Sequence, residues 1–224
     1  MSDSQPLETK LSEMRADSRE RMPKEMLDGV AALVADLEAN VVTKAVAVGD
    51  AAPDFTLRNA ATDETVTLSG ALEDGPVVLS FYRGDWCPFC NAELHALGLV
   101  HPDILAMGAK LFYIGPETRD HAQSMVEANS TDVPLLYDED GAVQDAYRLT
   151  FELPEGFRPM YQKWFDFPNR NTKTEWKLPV PATYVIGRDG VVAFRHADAN
   201  YQYRMEPAEI LAELKKLDGA AAKS

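Results

Sequence analysis

Two cysteines, Cys87 and Cys90, are the residues whose type and spacing could do chemistry in this chain of 224 residues. They lie in Val77 to Leu94, V-V-L-S-F-Y-R-G-D-W-C-P-F-C-N-A-E-L. Pro88 suits the first helical position, where its missing N–H would be an orphan, so Cys87 becomes the N-cap and Cys90 falls in the first turn. Both sulfurs then sit near the positive end of a helix, which favours the thiolate, the reactive form of cysteine. The chemistry open to such a pair is redox: exchange with a disulfide, or attack on a peroxide followed by closure to a disulfide. A structural staple is a poorer account, because a disulfide stabilises by closing a long loop and this one closes almost none. Structural zinc would need two further ligands, and His95, His101, His121 and His196 offer no H-x-x-x-H pair. No metal and no cofactor are expected.

The elements that must position the pair can be read from the pattern around it. Val77 to Tyr82 is a short apolar run between turn signals, as for a buried central strand. The helix opening at Cys87 should run to about Leu99, with Leu94 and Leu97 facing the sheet and a break at Pro102. Strands follow at Lys110 to Gly115 and Val133 to Tyr137, separated by a helix at Glu117 to Asn129. A short helix then runs through Tyr147. Val180 to Ile186 and Val191 to His196 read as a hairpin turned by Arg188-Asp189-Gly190, and Glu206 to Leu217 as an amphipathic helix. This alternation points to βαβ units and an α/β sheet covered on both faces.

Three segments stand outside that rhythm. Residues 1–48 form an N-terminal helical extension, in which Met26, Val30, Leu33, Val34 and Leu37 recur at helical spacing. That face could pack on the chain's own core or serve as the arm of a homodimer. Within the main domain, 49–217, an aromatic-rich insertion at 150–178 is too long for an ordinary connection. Such segments are lids, binding loops or interfaces, or they cover an edge of the core. Residues 218–224 are expected to be a disordered tail.

Composition limits the partners. A net charge of -14 argues against nucleic acid and anionic membranes, whose binding needs lysine and arginine. No apolar stretch reaches membrane-spanning length, and Met1 to Lys10 lacks the basic-then-apolar pattern of a signal peptide, so a cytoplasmic protein is expected. With 46% hydrophobic residues the chain can build one good-sized core. There is no G-x-S-x-G elbow, G-x-x-x-x-G-K-[ST] loop or H-E-x-x-H pair.

Gly49 to Phe55, G-D-A-A-P-D-F, adds a second signal. Joined to the strand, C-P-F-C and helix unit, this opening closely resembles peroxiredoxins of the alkyl hydroperoxide reductase and thiol-specific antioxidant (AhpC/TSA) family. The resemblance implies a thioredoxin-like fold, a central mixed sheet with helices on both faces, over about Gly49 to Leu217. It also implies a thiol-dependent antioxidant oxidoreductase that reduces hydroperoxides through a Cys87/Cys90 dithiol–disulfide cycle. Its partners would be a hydroperoxide or disulfide substrate and a thiol reductant, either a thioredoxin-like protein or a low-molecular-weight thiol. The family motif P-x-x-x-T-x-x-C, laid over this sequence, puts the peroxidatic cysteine at Cys90, with Arg83 in place of the proline and Cys87 in place of the threonine. The family's later arginine falls near Pro181. There the chain is similar to thioredoxins, whose proline is cis and faces the C-x-x-C pair.

Two mechanisms use the same atoms. In one, Cys90 attacks a hydroperoxide and Cys87 resolves the sulfenic acid; in the other, Cys87 attacks a disulfide and Cys90 releases it. The N-cap position favours Cys87 as the more exposed and more acidic thiol. Arg83 is the nearest cation in sequence and could lower a thiol pKa, or it could be a solvated strand-end residue. Asp85 could accept a proton or simply form the turn, and Trp86 is expected to pack beside the thiols. Pro181, Arg83, Trp86 and Asp85 are thus the candidate supporting residues. The alternatives to a peroxidase are a thioredoxin-like disulfide reductase and a non-catalytic interaction module.

Overall fold

The computed structural model describes residues 5–171 and 173–221. In chain order the elements are α1 (Leu7–Arg21), α2 (Lys24–Asn40), β1 (Thr56–Asn59), β2 (Thr65–Thr67), α3 (Leu68–Asp74), β3 (Val77–Phe81) and α4 (Pro88–Ala106). Then come β4 (Lys110–Gly115), α5 (Arg119–Asn129), β5 (Leu135–Tyr137), α6 (Ala142–Ala146), β6 (Thr150–Glu152) and α7 (Arg158–Phe165). The chain closes with β7 (Lys177–Pro179), β8 (Ala182–Ile186), β9 (Val192–Ala197) and α8 (Pro207–Ala221).

Seven strands form one mixed sheet in the order β2-β1-β5-β4-β3-β8-β9. Strand β3 runs parallel to β4, with Val77 opposite Lys110, and antiparallel to β8, with Phe81 opposite Ala182. The units β3–α4–β4 and β4–α5–β5 are the βαβ crossovers expected from the alternation. Because β3 and β4 are buried on both faces, they read as continuous apolar runs rather than alternating ones. One face carries Val78, Leu94, Leu97, Leu111 and Ile210 from the sheet, α4 and α8. The other carries Leu68, Leu79, Phe112, Tyr147 and Tyr184 from the sheet and the α3 and α6 side.

Several boundaries differ from expectation. Helix α4 does not stop at Pro102 but runs through it to Ala106. A proline removes one i→i−4 bond and crowds the carbonyl four residues back, which here belongs to Gly98; buried His101 and Ile104 on either side hold the helix together by packing. Helix α8 continues past Leu217 to Ala221, shortening the expected tail at its start, and residues 222–224 lie outside the described residues. The N-terminal extension is two helices. Leu7 and Leu11 of α1 are buried in the same core as Leu94 and Leu97 of α4, and Leu37 of α2 packs with Val42, Val180 and Ala199. The insertion has its own two-stranded sheet, β6 antiparallel to β7, and an aromatic cluster built on Leu153, Tyr161, Phe167 and Leu178.

Candidate active site

The thiol pair sits where β3 ends at the middle of the sheet. Cys87 is the N-cap of α4 with extended backbone, Pro88 follows at the first position, and the amides of Cys90 and Asn91 both bond the Cys87 carbonyl at 3.1 Å. Asn91 fastens the loop, its Nδ2 donating to the carbonyls of Asp85 (2.7 Å) and Cys87 (3.0 Å). Gly84 lets Trp86 fold back over the loop, since a Cβ there would lie 2.2 Å from the indole nitrogen. Both cysteines are free thiols.

Neither thiol is at the surface: Cys87 is 1% exposed and Cys90 0%. The expectation of an exposed Cys87 is therefore corrected, because core and wall close over both thiols. Burial pushes the Cys87 thiol up, but the Cys90 thiol, the Arg83 and Arg204 guanidinium groups and the Cys90 amide together outweigh it and bring it down to about 6. No capping hydrogen bond of regular geometry reaches its side chain. Cys90 moves well above the ordinary thiol range, because it is buried and lies beside the charge and hydrogen bond of Cys87, with Arg204 opposing. The two shifts are opposed, so the surroundings favour the anion at Cys87 and the protonated thiol at Cys90.

Arg83 is 3% exposed, not a solvated strand-end residue. Its guanidinium lies over the rings of Tyr201 (4.1 Å), Trp86 (5.1 Å) and Tyr161 (5.8 Å), and Nη2 donates to the Tyr161 hydroxyl. Arg204 is buried on the other side, with Nε 2.7 Å from Glu93 Oε2 and Nη2 3.4 Å from Cys90 Sγ. Glu93 also accepts from the hydroxyls of Tyr113 at 2.9 Å and Ser80 at 3.3 Å. Burial, which outweighs the attraction of Arg204, holds its carboxyl above the usual range.

The insertion forms the wall beside the pair. Trp86 packs on Tyr161, Phe165 and Phe167 with ring centroids 4.8–6.0 Å apart. Asp85 is tied across the loop, accepting from Arg170 Nη1 at 2.6 and 2.5 Å and lying 3.2 Å from His121 Nδ1. Its amide donates to Glu117, whose carboxylate also accepts from the Tyr82 hydroxyl at 2.7 Å. Pro181 lines a narrow cavity of about 40 Å³ with Arg83, Tyr161 and Tyr201, enough to admit water. The Val180–Pro181 bond is trans, against the cis bond that the thioredoxin resemblance implies; among the described residues the cis bond is Phe167–Pro168. Trans is the ordinary preference of X–Pro bonds, and Val180 bonds the Leu149 carbonyl as the chain enters β8.

Glu93 and Arg204 were not legible as site residues. Glu93 carried a weak signal, a carboxylate on the same helical face as Cys90, Leu94 and Leu97. Arg204 carried none, since it comes from the loop after β9. Among the described residues no group of three or more histidines, cysteines or carboxylates is placed to hold a metal, and no helix is long and apolar enough to cross a membrane.

Two free thiols of opposed acidity at a helix N-terminus, on a mixed sheet covered by helices on both faces, define a thiol-dependent oxidoreductase. Residues 48–195 match the pattern of the AhpC/TSA family, and the chain belongs to that family, the peroxiredoxin type of the thioredoxin-like fold. The thiol-disulfide oxidoreductase ResA of Oceanobacillus iheyensis is 29% identical over 146 residues, 62% of this chain and 71% of ResA. The soluble secreted antigen MPT53 of Mycobacterium tuberculosis is 33% identical over 111 residues, 43% of this chain and 61% of the antigen. The crystal structure of peroxidoxin BcpB from Mycobacterium tuberculosis superposes with a TM-score of 0.60 at 23% identity, over 77% of this chain and 98% of that one.

Proposed function

We propose that this protein reduces hydroperoxides through Cys87 and Cys90, with Cys87 as the attacking thiolate. The observation that supports it best is the placement of two free cysteines at the start of α4, with Cys87 as the N-cap, where Cys90, Arg83 and Arg204 lower the Cys87 thiol while burial raises that of Cys90. The Cys87 thiolate attacks one peroxide oxygen, the O–O bond breaks with its electron pair on the departing oxygen, and that oxygen takes a proton to leave as an alcohol or water. Cys87 is left as a sulfenic acid. The Cys90 sulfur then displaces the sulfenic hydroxyl, which leaves as water with the Cys90 proton, and an S–S bond forms. A thiol reductant restores the dithiol by exchange.

A second reading, attack of Cys87 on a disulfide, is favoured by the likeness to ResA. Cys87→Ser and Cys90→Ser, each offered hydrogen peroxide, an organic hydroperoxide and a disulfide, separate the two. Expected is rapid sulfenic acid formation in Cys90→Ser and none in Cys87→Ser. The same result in reverse would make Cys90 peroxidatic, and fast single turnover with disulfide alone would favour the reductase. An interaction module without turnover would leave Cys87 with an ordinary thiol pKa. Cytoplasmic placement and a homodimer are proposed from the sequence alone, and cell fractionation and sedimentation measure them.

A further inference from the structure

Arg83 and Arg204 are both buried guanidinium groups whose charge favours the Cys87 thiolate, but they differ in what neutralises them. Arg204 is bound to the Glu93 carboxylate, so much of its field is spent there. Arg83 has no carboxylate in contact among the described residues, and the groups that favour its charge are Tyr161, Tyr201 and the two cysteines. Its Nε is buried without a hydrogen-bond partner. The hydrogen bond from Nη2 to the Tyr161 hydroxyl is the one its guanidinium makes among the described residues; the ring faces around it attract charge but set no direction.

Taking Cys87 as the attacking thiolate, as above, we propose that Tyr161 is a positioning residue for the reaction: its hydroxyl, delivered by the insertion, aims the Arg83 guanidinium at Cys87. The insertion is then part of the active site and not only a cover for the core edge. Tyr161 sits on α7, a helix outside the βαβ frame, so the reactivity of the pair depends on whether that helix is docked.

The test is the pH profile of Cys87 alkylation by iodoacetamide in the Cys90→Ser chain, alone and with Tyr161→Phe, Arg83→Gln or both. Tyr161→Phe keeps the ring and removes the acceptor. Expected is a midpoint raised by roughly one pH unit in each single variant, the size of a lost neighbouring charge. The double variant should shift no further than Arg83→Gln, because the two residues act as one device. The rate at high pH, where every thiol is ionised, should stay within about twofold in Tyr161→Phe, since the conserved ring keeps access unchanged. A Tyr161→Phe midpoint that does not move, or shifts that add, would overturn the proposal. So would a Tyr161→Phe chain that fails to melt cooperatively, since a hydroxyl that only positions is dispensable for folding. No peroxide enters this assay, so failure to consume hydroperoxide is read separately and bears on the proposed function alone.

Discussion

Opposed shifts in two neighbouring thiols carry measurable consequences at the scale of single residues. Folding takes the Cys87 pKa from the ordinary 9.0 to about 6, so the folded dithiol chain gains stability as pH rises through that window and loses it as pH falls through about 6. Cys90, shifted upward, works in the opposite sense only above the ordinary thiol range. The disulfide form has neither term. The melting temperature of the reduced chain minus that of the oxidised chain should therefore climb between about pH 6 and pH 8; a flat difference would show that Cys87 is not ionised in the fold. Glu93 offers a second check. Its side chain and that of Arg204 are 3% and 2% exposed, and removing one partner of a buried pair typically costs about 3–5 kcal/mol. Glu93→Gln should lose that much in denaturant melts. It should also bring Cys90 into reaction with iodoacetamide, because the unpaired Arg204 charge would then act on the sulfur 3.4 Å away.

Elements outside the shared frame hold the site at both ends. Helix α1 docks on the segment that carries Arg204: Glu206 accepts from the amide of Leu7 at 3.2 Å and from that of Glu8, and Arg15 lies 4.3 Å over the Tyr203 ring and bonds the Gln202 carbonyl at 3.2 Å. Helix α1 thus belongs to the chain's own core. Leu11, fully buried beneath α1, should cost about 2–5 kcal/mol when cut to alanine, as buried leucines do. A chemical melt of Leu11→Ala with no loss would instead assign α1 to another partner. On the other side the wall rests on Trp86. Gly84→Ala would place a Cβ against the indole and displace the ring, so indole fluorescence should change and the buried thiols should alkylate faster. Unaltered alkylation would mean that Trp86 does not gate them.

Over the whole molecule, burial of both thiols decides what oxidation can produce. Neither sulfur can reach another copy without opening the wall, whereas each can reach the other across one helical turn. Oxidation by one equivalent of peroxide should therefore give a monomer on a non-reducing gel, with no free thiol. A disulfide-linked dimer as the main product would sink this assignment.

The run of local signals in residues 77–94 determined the strand, the N-cap, Pro88 at the first helical position and the redox-capable pair, because each depends on neighbours in sequence. The alternating apolar runs likewise determined the α/β layering and both crossovers. Pro102 misled because a helix boundary is a contest between one local penalty and packing along the whole buried face, and packing won. Only the tertiary structure decided what surrounds the sulfurs. Arg83 comes from the strand end, Tyr161 and Arg170 from the insertion, Arg204 from the loop after β9 and the support of that loop from α1. These residues meet through chain reversals far apart in sequence. Charge, burial and hydrogen bonding at a thiol are properties of that meeting: the N-cap position already pointed to Cys87 as the more acidic thiol, but the groups that make it so could be read only once the chain had been folded.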